Sequence, residues 1–402
     1  MNILIFTQYY PFTKDLSPEK TTKAVHYFAR EWKKDGHRVI VIHNHIQESN
    51  FLLGLNRIIK KEDNSKQILN EPFKSVTDGV ESYLLPISRY IPKSNYITKS
   101  KVIKQLELIK KILVEKNFNP DVLFCHFPIS QLQLIWEFQR EYKCDRVVLT
   151  FHASDIMYLK RKRKKNVIKK IVDSNFNLAF RSKALKESFE KMANKKLHDS
   201  FIVYSGAPLS SWKNDRNTVP IREKCELKLL YVGNLTKQKN IHITIEALYK
   251  LKDIYNCEFT FHIIGKGPFE KELFLLSEKL KLERNIYFHG YKTREEVLQF
   301  MRDSDVFIMV SSPETFGLVY IEAMGAGCIV VGSKGEGIDG VIVNKENGFL
   351  ATPHSVSEIC EILRDISNMP ELEYLDIVSN SMKTAVKYSE HNVAHAYLSE
   401  YI

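Results

Sequence analysis

Two glutamates, Glu314 and Glu322, lie eight residues apart in the stretch SSPETFGLVYIEAMGAG. Both are flanked by apolar residues and glycines, which is unusual company for carboxylates on a solvated surface. The pattern places Glu314 just before a helix and Glu322 about one turn inside it. Such a pair could hold the hydroxyl groups of a ligand, or it could act as acid and nucleophile in a hydrolysis.

The predicted start of this helix, near Phe316–Leu318, offers unpaired N–H groups and a partial positive charge, which favour a phosphate. Gly317 allows close approach of the backbone to a ligand. A nucleotide-sugar fits this layout, with one carboxylate on sugar hydroxyls, the other on ribose hydroxyls and the phosphates between them. The plain structural alternative is that Glu314 caps the helix and Glu322 pairs with a lysine. A hydrolase fits less well, because its chemistry does not require a phosphate-binding helix start.

A cation for the diphosphate is found in YVGNLTKQKNIHITIEAL, residues 231–248. A strand is predicted to end at Gly233, and a helix is predicted to start around Ile241. Lys239 lies in the loop just before that helix, and Lys237 is nearby. Read on this stretch alone, Lys239 could equally be a solvated loop lysine.

These residues can meet only if secondary-structure elements bring the ends of strands together. Short apolar runs alternate with amphipathic segments along the chain, as such an arrangement requires. Four runs in the first half read as buried strands, at residues 2–6, 38–43, 121–126 and 146–152. Between the first two, Val25, Phe28, Ala29 and Trp32 recur at helical spacing within residues 22–36. This alternation predicts a parallel sheet covered by helices on both faces.

The alternation restarts in the second half of the chain. Five further strands are predicted at residues 227–233, 258–265, 285–290, 305–312 and 328–333. Between the two series, residues 205–226 are polar and aperiodic and form the predicted linker. The predicted fold class is therefore α/β, with two doubly wound Rossmann-like domains facing each other across a cleft. In such sheets, ligands bind outside the carboxyl ends of the strands.

Composition and charge are consistent with a two-domain globular protein. The chain has 402 residues, of which 44% are hydrophobic. Residues 1–200 carry a net charge of +16 and the remainder −5, so the first half should attract nucleic acid, phospholipid or a diphosphate-bearing substrate. The six cysteines are scattered without a CxxC pair and read as reduced residues of a cytosolic protein. No apolar run approaches the roughly 18 residues needed to cross a bilayer, and MNILIF reads as a core strand rather than a signal peptide.

The stretch Glu314-x7-Glu322, followed by AMGAGCIVV and GEGIDGVIVNKENGFL, closely resembles the family-4 retaining glycosyltransferases of the B-type two-Rossmann fold (GT-B). The order of YVGNL…K, HIIGKGP, IYFHGY and SDVFIMVSSPETFGL agrees, and the resemblance covers nearly all of residues 200–350. It implies transfer of a sugar from a nucleotide donor with retained anomeric configuration and without a metal. Attack is then from the front face with assistance from the leaving diphosphate, so neither glutamate need be a covalent nucleophile.

The resemblance also implies roles for individual residues. Glu314 would contact the donor sugar, Glu322 the ribose and Lys239 the diphosphate. The complete expected donor-binding set is Gly233, Asn234, Lys237, Lys239, Tyr291, Phe316, Gly317, Leu318 and Glu322. Within it, the backbone of Phe316–Leu318 would receive phosphate and sugar oxygens, and the base would lie near Tyr291.

In the first half, LTFHASDI (residues 149–156) resembles the strand-end His loop of the same family. It implies that His152 lies in the cleft near the transferred sugar, with Asp155 close by. Glu314 and His152 are thus the predicted catalytic residues. Read alone, His152 could equally be a strand-end histidine bonded to backbone.

Two departures from the family pattern stand out. Most relatives place an arginine next to Gly233, whereas this chain has Asn234, so one diphosphate charge is missing unless Lys237 supplies it. Many relatives also carry a Gly-Gly loop after the first strand, whereas residues 9–25 contain no glycine. Lys20 or Thr21 could line that part of the cleft.

Three further motifs resemble chemical sites but are interpreted structurally. Asp303-Ser304-Asp305 mimics a metal-binding Asp-x-Asp but falls in a turn between a helix and a strand. His43 and His45 share one face of a strand without a third ligand in view. GKGP at 265–268 lacks the full GxGxxG spacing of a dinucleotide site.

The basic run KRKRKK, residues 160–165, is either a solvated face or a surface for anionic lipid or a lipid diphosphate. The apolar-basic segment 51–61 could lie in a membrane interface or be a buried helix.

The sequence therefore predicts a retaining hexosyltransferase that uses a nucleotide-sugar, with UDP favoured, in the synthesis of a capsule, lipopolysaccharide or exopolysaccharide. The acceptor would be a glycan or a lipid-diphosphate-linked glycan, and the enzyme would be cytoplasmic and peripheral at the inner face of the membrane. Its predicted domains are 1–208 for the acceptor, 209–380 for the nucleotide-sugar, and a C-terminal helix, 381–402, that crosses back to the first. No metal or cofactor is expected. The alternatives are a protein that only binds nucleotide-sugar and a basic nucleic-acid-binding protein, although KRKRKKNVIKK lacks the interleaved aromatics typical of the latter.

Overall fold

The computed structural model describes residues 1–11, 23–48, 71–89, 97–162, 164–208 and 226–401. They form two compact units. Unit 1 comprises Met1–Arg181, Leu185–Val203 and Ala394–Ile402, and unit 2 comprises Ser182–Ala184 and Tyr204–Val393. The changeover at Val203–Tyr204 lies a few residues before the predicted boundary at 208–209, and the C-terminal stretch that joins unit 1 begins at Ala394.

Unit 1 is built on a sheet that has eight strands within the described residues. Its strands are β1 (Asn2–Thr7), β2 (Arg38–Glu48), β3 (Phe73–Thr77), β4 (Val80–Arg89), β5 (Val122–His126), β6 (Arg146–Phe151), β7 (Asn177–Phe180) and β8 (Ser200–Ile202). Their spatial order is β3-β4-β2-β1-β5-β6-β7-β8. All neighbours pair in parallel except β3 and β4, which form an antiparallel hairpin at one edge.

The described helices of unit 1 have the amphipathic pattern expected of helices that cover a parallel sheet. They are α1 (Lys23–Lys34), α2 (Lys99–Glu115), α3 (Leu132–Tyr142), α4 (Ala153–Lys162), α5 (Lys165–Val172) and α6 (Lys183–Ala193), whose first residues fall in unit 2. In α1, the residues predicted to face the core are buried, and Trp32 donates its indole N–H to the carbonyl of Ala394 at 2.8 Å. The apolar periodicity of this segment therefore identifies its core face correctly.

Unit 2 carries a fully parallel sheet with six strands in the described part of the chain. They are β9 (Leu227–Val232), β10 (Phe259–Ile264), β11 (Ile286–Phe288), β12 (Val306–Ile308), β13 (Ile329–Ser333) and β14 (Phe349–Ala351). Their order is β11-β10-β9-β12-β13-β14. This is the doubly wound 3-2-1-4-5-6 order, in which the strand order reverses between β9 and β12.

The helices described in unit 2 alternate with the strands as far as β13, and three consecutive helices follow β14. They are α7 (Ile241–Tyr255), α8 (Glu270–Lys279), α9 (Arg294–Asp303), α10 (Leu318–Gly325), α11 (Val356–Ser367), α12 (Glu371–Lys387) and α13 (Glu390–Ser399), the last of which continues into unit 1. The predicted α/β class with two doubly wound sheets is confirmed. The reversal points of the two sheets lie between β1 and β5 in unit 1 and between β9 and β12 in unit 2, and these are the places where such sheets bind ligands.

Candidate functional site

The reversal point of unit 2 brings together the two loops predicted to hold a diphosphate. One loop follows β9 and leads through a short 3₁₀ turn, Lys237–Lys239, into α7. The other follows β12 and leads through Glu314 into α10. The backbone N–H of Ser312 donates to the carbonyl of Gln238 at 2.9 Å, so the two loops are joined directly.

Lys239 and Glu314 form an ion pair across these loops, with 2.6 Å between Nζ and Oε2. The same Glu314 oxygen accepts a hydrogen bond from Ser311 Oγ at 3.0 Å, and Oε1 accepts the N–H of Thr315 at 3.0 Å. The side chains are 24% exposed for Lys239 and 12% for Glu314. The predicted phosphate cation and the predicted sugar-binding carboxylate are therefore each other's partners.

The start of α10 presents free backbone donors. The N–H groups of Phe316, Gly317 and Leu318 have no hydrogen-bond partner among the described residues. Gly317 has a φ of +78°, a left-handed conformation that favours glycine, and a side chain there would run into the ring of Tyr320 at 2.6 Å. Because α10 also contributes the positive end of its dipole, this position can accept an anion.

Glu322 lies about one turn inside α10, eight residues beyond Glu314, and pairs with an arginine. Arg294 Nη2 lies 2.9 Å from Glu322 Oε1. Burial raises the pKa of Glu322, the Arg294 guanidinium opposes this rise, and Glu390 adds to it. The predicted ribose-binding carboxylate therefore forms an ion pair with Arg294, a partner that the sequence patterns did not predict.

The remaining predicted donor residues are exposed or lie in the loop backbone. Asn234 and Lys237 are exposed, and the Asn234 carbonyl accepts the hydroxyl of Tyr231 at 3.0 Å. Tyr291, after β11, is 81% exposed. Gly233 packs so closely on the next strand's turn that a side chain at Gly265 would lie 1.9 Å from its carbonyl oxygen.

The GKGP motif thus has a structural use in the described residues, because it supports the loop after β9. A side chain at Gly267 would lie 2.3 Å from the carbonyl oxygen of Leu235. Leu235 also exchanges backbone hydrogen bonds with this turn, donating to Lys266 and accepting from Phe269, each at 3.0 Å. Its glycines allow two backbones to touch.

In unit 1, His152 follows β6 and lies against two other residues from the neighbouring strand end. Its ring stacks on Phe127 with 3.7 Å between centroids, and its Nε2 lies 3.2 Å from Nδ1 of His126. Burial, His126 and Arg181 hold the pKa of His152 well below its usual range. The imidazole is therefore neutral near pH 7.

Asp155 acts here as a backbone clamp. One carboxylate oxygen accepts the N–H of His152 at 2.9 Å and the other accepts the N–H of Ile129 at 3.2 Å. Burial raises the pKa of Asp155 to about 7, while the two backbone hydrogen bonds favour its charged form. The clamp joins the loop after β6 to the 3₁₀ turn after β5.

The loop after β5 is held in an unusual backbone conformation. Phe127 has a left-handed φ of +57°, which is costly for a bulky residue. A chain of buried amides supports it: Gln105 donates to Asn44, Asn44 donates to Gln131, and Gln131 donates to the carbonyl of His126. The surrounding polar network thus fixes the ring on which His152 stacks.

The motifs judged to be structural make structural contacts. Asp305 accepts the N–H of Lys228 at 2.9 Å, and Asp303 accepts the side-chain amide of Gln299. His43 bonds through Nε2 to the carbonyl of Gln8 at 2.8 Å, and its ring lies 5.6 Å from that of His45.

The basic run spans the end of α4 and the start of α5. Lys160, Arg161, Lys164 and Lys165 are exposed, and Met157, also on α4, is 65% exposed. In the part of the chain that the structure describes, no helix is long and apolar enough to cross a membrane. The segment 51–61, residues Lys20 and Thr21, and most of the predicted linker lie outside the described residues.

Comparison with known proteins shows which family and which fold this chain resembles. Residues 213–383 match the family model "Glycosyl transferases group 1". The structure of HepE from Anabaena in complex with UDP and glucose aligns over 99% of both chains, with a TM-score of 0.64 and 18% identity. The fold is therefore GT-B, and residues 213–383 are similar to the group 1 glycosyltransferase domain.

Two sequence relatives cover part of the chain. An uncharacterized glycosyltransferase of Methanocaldococcus jannaschii, MJ1607, is 29% identical over 233 residues, which are 55% of this chain and 58% of the relative. The amylovoran biosynthesis glycosyltransferase AmsK of Erwinia amylovora is 29% identical over 181 residues, 43% of this chain and 44% of the relative. The chain thus spans about half the length of the curated relatives it matches.

Two residues of the candidate site were missed by the sequence reasoning, namely Arg294 and Glu336. Arg294 is the first residue of α9, and Glu336 lies in the turn after β13, where its carboxylate accepts the N–H of Glu314. A weak signal existed for Arg294, which follows Tyr291 by three residues. Glu336 stands in the quoted GEGIDG stretch, but its partner is 22 residues away and no spacing rule points to it.

Proposed function

We propose that this protein is a retaining glycosyltransferase of family 4 that transfers a sugar from a nucleotide-sugar, with UDP as the favoured nucleotide. One observation carries the proposal: Lys239, Glu314 and the free N–H groups at the start of α10 converge at the reversal point of the unit 2 sheet. A cation and a helix start bind a diphosphate, and a carboxylate beside them binds hydroxyl groups.

The proposed roles follow from this arrangement. Lys239 and the backbone of Phe316–Leu318 neutralise the diphosphate as charge develops on it, which is electrostatic stabilisation of the leaving group. Glu314 binds the hydroxyls of the transferred sugar, and Glu322 binds those of the ribose. Asn234 and Lys237 lie on the exposed side of the loop after β9, and Tyr291 offers an exposed ring for the base.

His152 is the proposed catalytic residue of unit 1. Its neutral imidazole, stacked on Phe127 and bonded to His126, has the fixed orientation that recognition of a sugar requires. The proposal needs neither a covalent enzyme intermediate nor a metal, since the leaving diphosphate assists the attack and protein groups neutralise it.

For the acceptor, we propose a glycan or a lipid-diphosphate-linked glycan of a surface polysaccharide. AmsK is a biosynthesis enzyme of one polysaccharide, amylovoran, and this supports the substrate class. The exposed basic ends of α4 and α5 support work at an anionic membrane surface on the cytoplasmic side. No nucleic-acid partner is proposed.

A panel of UDP-, GDP- and ADP-sugars tests the donor. The true donor should raise the melting temperature, since a ligand at 100 times its dissociation constant stabilises by about 2.7 kcal/mol. Release of nucleoside diphosphate should then require an acceptor extract, persist in EDTA and be lost in Lys239→Met. Binding without acceptor-dependent release would instead identify a protein that only binds nucleotide-sugar.

A further inference from the structure

The turn after β13 is bonded to the loop that carries Glu314. Glu336 uses both carboxylate oxygens: Oε1 accepts Ser312 Oγ at 2.7 Å, and Oε2 accepts the backbone N–H of Glu314 at 2.7 Å. In the opposite direction, the N–H of Gly337 donates to the carbonyl of Glu314 at 3.0 Å. Two consecutive residues therefore hold the Glu314 backbone at both of its polar groups.

The two segments are in direct backbone contact. A side chain at Gly337 would lie 1.8 Å from the carbonyl oxygen of Thr315, so only glycine allows the approach. Ser333 Oγ adds a hydrogen bond to the carbonyl of Ser311 at 2.7 Å. The loop from Ser311 to Thr315 thus rests along its length on the segment from Ser333 to Gly337.

Asp339 fixes the turn from which Glu336 projects. Its carboxylate accepts the N–H of Gly335 at 2.6 Å, and its own N–H donates to the carbonyl of Glu336 at 2.9 Å. Because the turn is closed by these local bonds, the Glu336 carboxylate is presented to the Glu314 loop from a fixed position.

Glu336 could contact the ligand directly or position a neighbouring side chain, and its negative charge favours the second role. A second carboxylate beside a diphosphate site repels the ligand, so Glu336 is unsuited to hold the phosphates directly. Hydrogen bonds that a backbone N–H and a hydroxyl donate to a charged carboxylate are strong and directional, so they can fix the direction of a neighbouring side chain.

We propose that Glu336 is a positioning residue for Glu314, holding its backbone so that the Glu314 carboxylate is aimed at the donor sugar. This inference rests on the proposed function and adds to it a residue that determines recognition of the sugar part of the donor. Its signature is a loss confined to the sugar, with recognition of the nucleoside diphosphate retained.

The test compares two ligands on several variants of the full chain. The panel described above selects the nucleotide-sugar that most stabilises the wild type, and calorimetry gives the affinity for it and for its nucleoside diphosphate. In Glu336→Gln, an NH₂ group replaces one accepting oxygen and one bond to the loop is lost. Affinity for the nucleotide-sugar should fall roughly 10- to 100-fold, as for a lost charged hydrogen bond. Affinity for the diphosphate should change by less than about threefold.

Two further variants make the result specific. Ser312→Ala removes one Glu336 contact without altering Glu336, so it should give a smaller loss in the same ligand. Glu346→Gln, which changes an exposed carboxylate outside this turn, is the control and should change neither affinity. Equal losses for both ligands in Glu336→Gln, or no loss in either, would overturn the inference.

The failure of the proposed function is distinguishable from these outcomes. If Glu314→Gln keeps the wild-type preference for the sugar-bearing ligand, the role of Glu314 is wrong, whatever Glu336 does. If no nucleotide-sugar stabilises the wild type, the proposed function fails and the inference falls with it.

Discussion

Single residues of the candidate site form ion pairs with one another. Lys239 pairs with Glu314, and Arg294 pairs with Glu322. Under the proposed function, a diphosphate must therefore compete with a carboxylate for Lys239, and a ribose must share Glu322 with a guanidinium. The affinity for a ligand depends on the free energy of its contacts minus that of the ion pairs it replaces. Removing one partner of an ion pair can therefore strengthen binding of the ligand to the other.

The Lys239–Glu314 pair gives the first prediction. Glu314→Gln removes the internal counter-ion of Lys239, so UDP should bind about two- to fivefold more tightly, the range of a partly exposed ion pair. Uridine, which lacks phosphates, should bind as in the wild type. Lys239→Met should weaken UDP, and the double variant should show no gain over Lys239→Met. Calorimetry decides, and a loss of UDP affinity in Glu314→Gln would contradict the competition.

The Arg294–Glu322 pair gives a prediction about pH. Burial raises the pKa of Glu322 and Arg294 opposes that rise, so Arg294→Met should raise the pKa further. The carboxylate accepts hydrogen bonds as a charged group only above its pKa, so UDP affinity of the variant should be weakest at low pH. Measured from pH 5.5 to 8, the ratio of wild-type to variant affinity should fall as the pH rises.

Taking this ratio cancels titration of the UDP phosphates themselves. Lys292→Met is the matched control, because Lys292 pairs with Glu296 at 3.0 Å in the same segment. A loss of affinity in Arg294→Met that is the same at every pH would show that Arg294 acts by direct contact with the ligand and not through Glu322.

The positions of the strands and helix starts that carry the site residues are predicted well by sequence patterns. Apolar runs predict the strands, and helix starts are predicted around Ile241 and near Phe316–Leu318. The structure begins α7 at Ile241 and α10 at Leu318. Parallel order then brings the ends of β9 and β12 together at the reversal point.

What the patterns do not capture are pairs set by turn geometry. Arg294 reaches Glu322 across 28 residues and Glu336 reaches the Glu314 loop across 22. Neither spacing belongs to a helix or strand period. Strand β12 is also shorter than predicted, ending at Ile308, because the residues after it enter the loop that carries Glu314. The β3–β4 hairpin was missed, since the exposed outer strand β3 lacks a continuous apolar run.

The start of α10 gives a prediction at this scale. Gly317 and Gly335 have nearly equal left-handed φ values, +78° and +77°, but a side chain at Gly317 meets the Tyr320 ring whereas Gly335 faces open space. Each alanine variant incurs the left-handed cost of about 1–2 kcal/mol. Gly317→Ala alone should also displace the helix start, and only it should lose UDP affinity.

Melting temperature and UDP calorimetry on both glycine variants separate the two effects. A larger destabilisation of Gly317→Ala than of Gly335→Ala is expected, because the Tyr320 ring is buried and cannot move aside. If both variants lose UDP affinity equally, the backbone strain and not the position of the α10 start would account for the loss.

Over the whole molecule, charge is divided between the two halves of the chain. Residues 1–200 carry +16 and the remainder −5. The exposed basic side chains at the ends of α4 and α5 lie beside Met157, an apolar residue that is also exposed. Basic side chains are attracted to anionic lipid headgroups, and an exposed apolar side chain beside them can insert between the lipids.

Binding to vesicles tests this distribution. The chain should sediment with vesicles containing anionic phospholipid and not with neutral ones, and binding should weaken as salt rises towards 0.5 M, because surface charges are screened.

Each basic residue near such a surface contributes about 1 kcal/mol, so the triple variant Lys160→Gln, Arg161→Gln, Lys164→Gln should bind roughly 100-fold more weakly. The charge-matched control in unit 2, with Lys250, Lys271 and Lys279 changed to Gln, should bind like the wild type. Equal binding to neutral vesicles, or equal losses in both triple variants, would contradict a membrane surface on α4 and α5. Tighter, salt-sensitive binding to duplex DNA than to anionic vesicles would favour the nucleic-acid alternative instead.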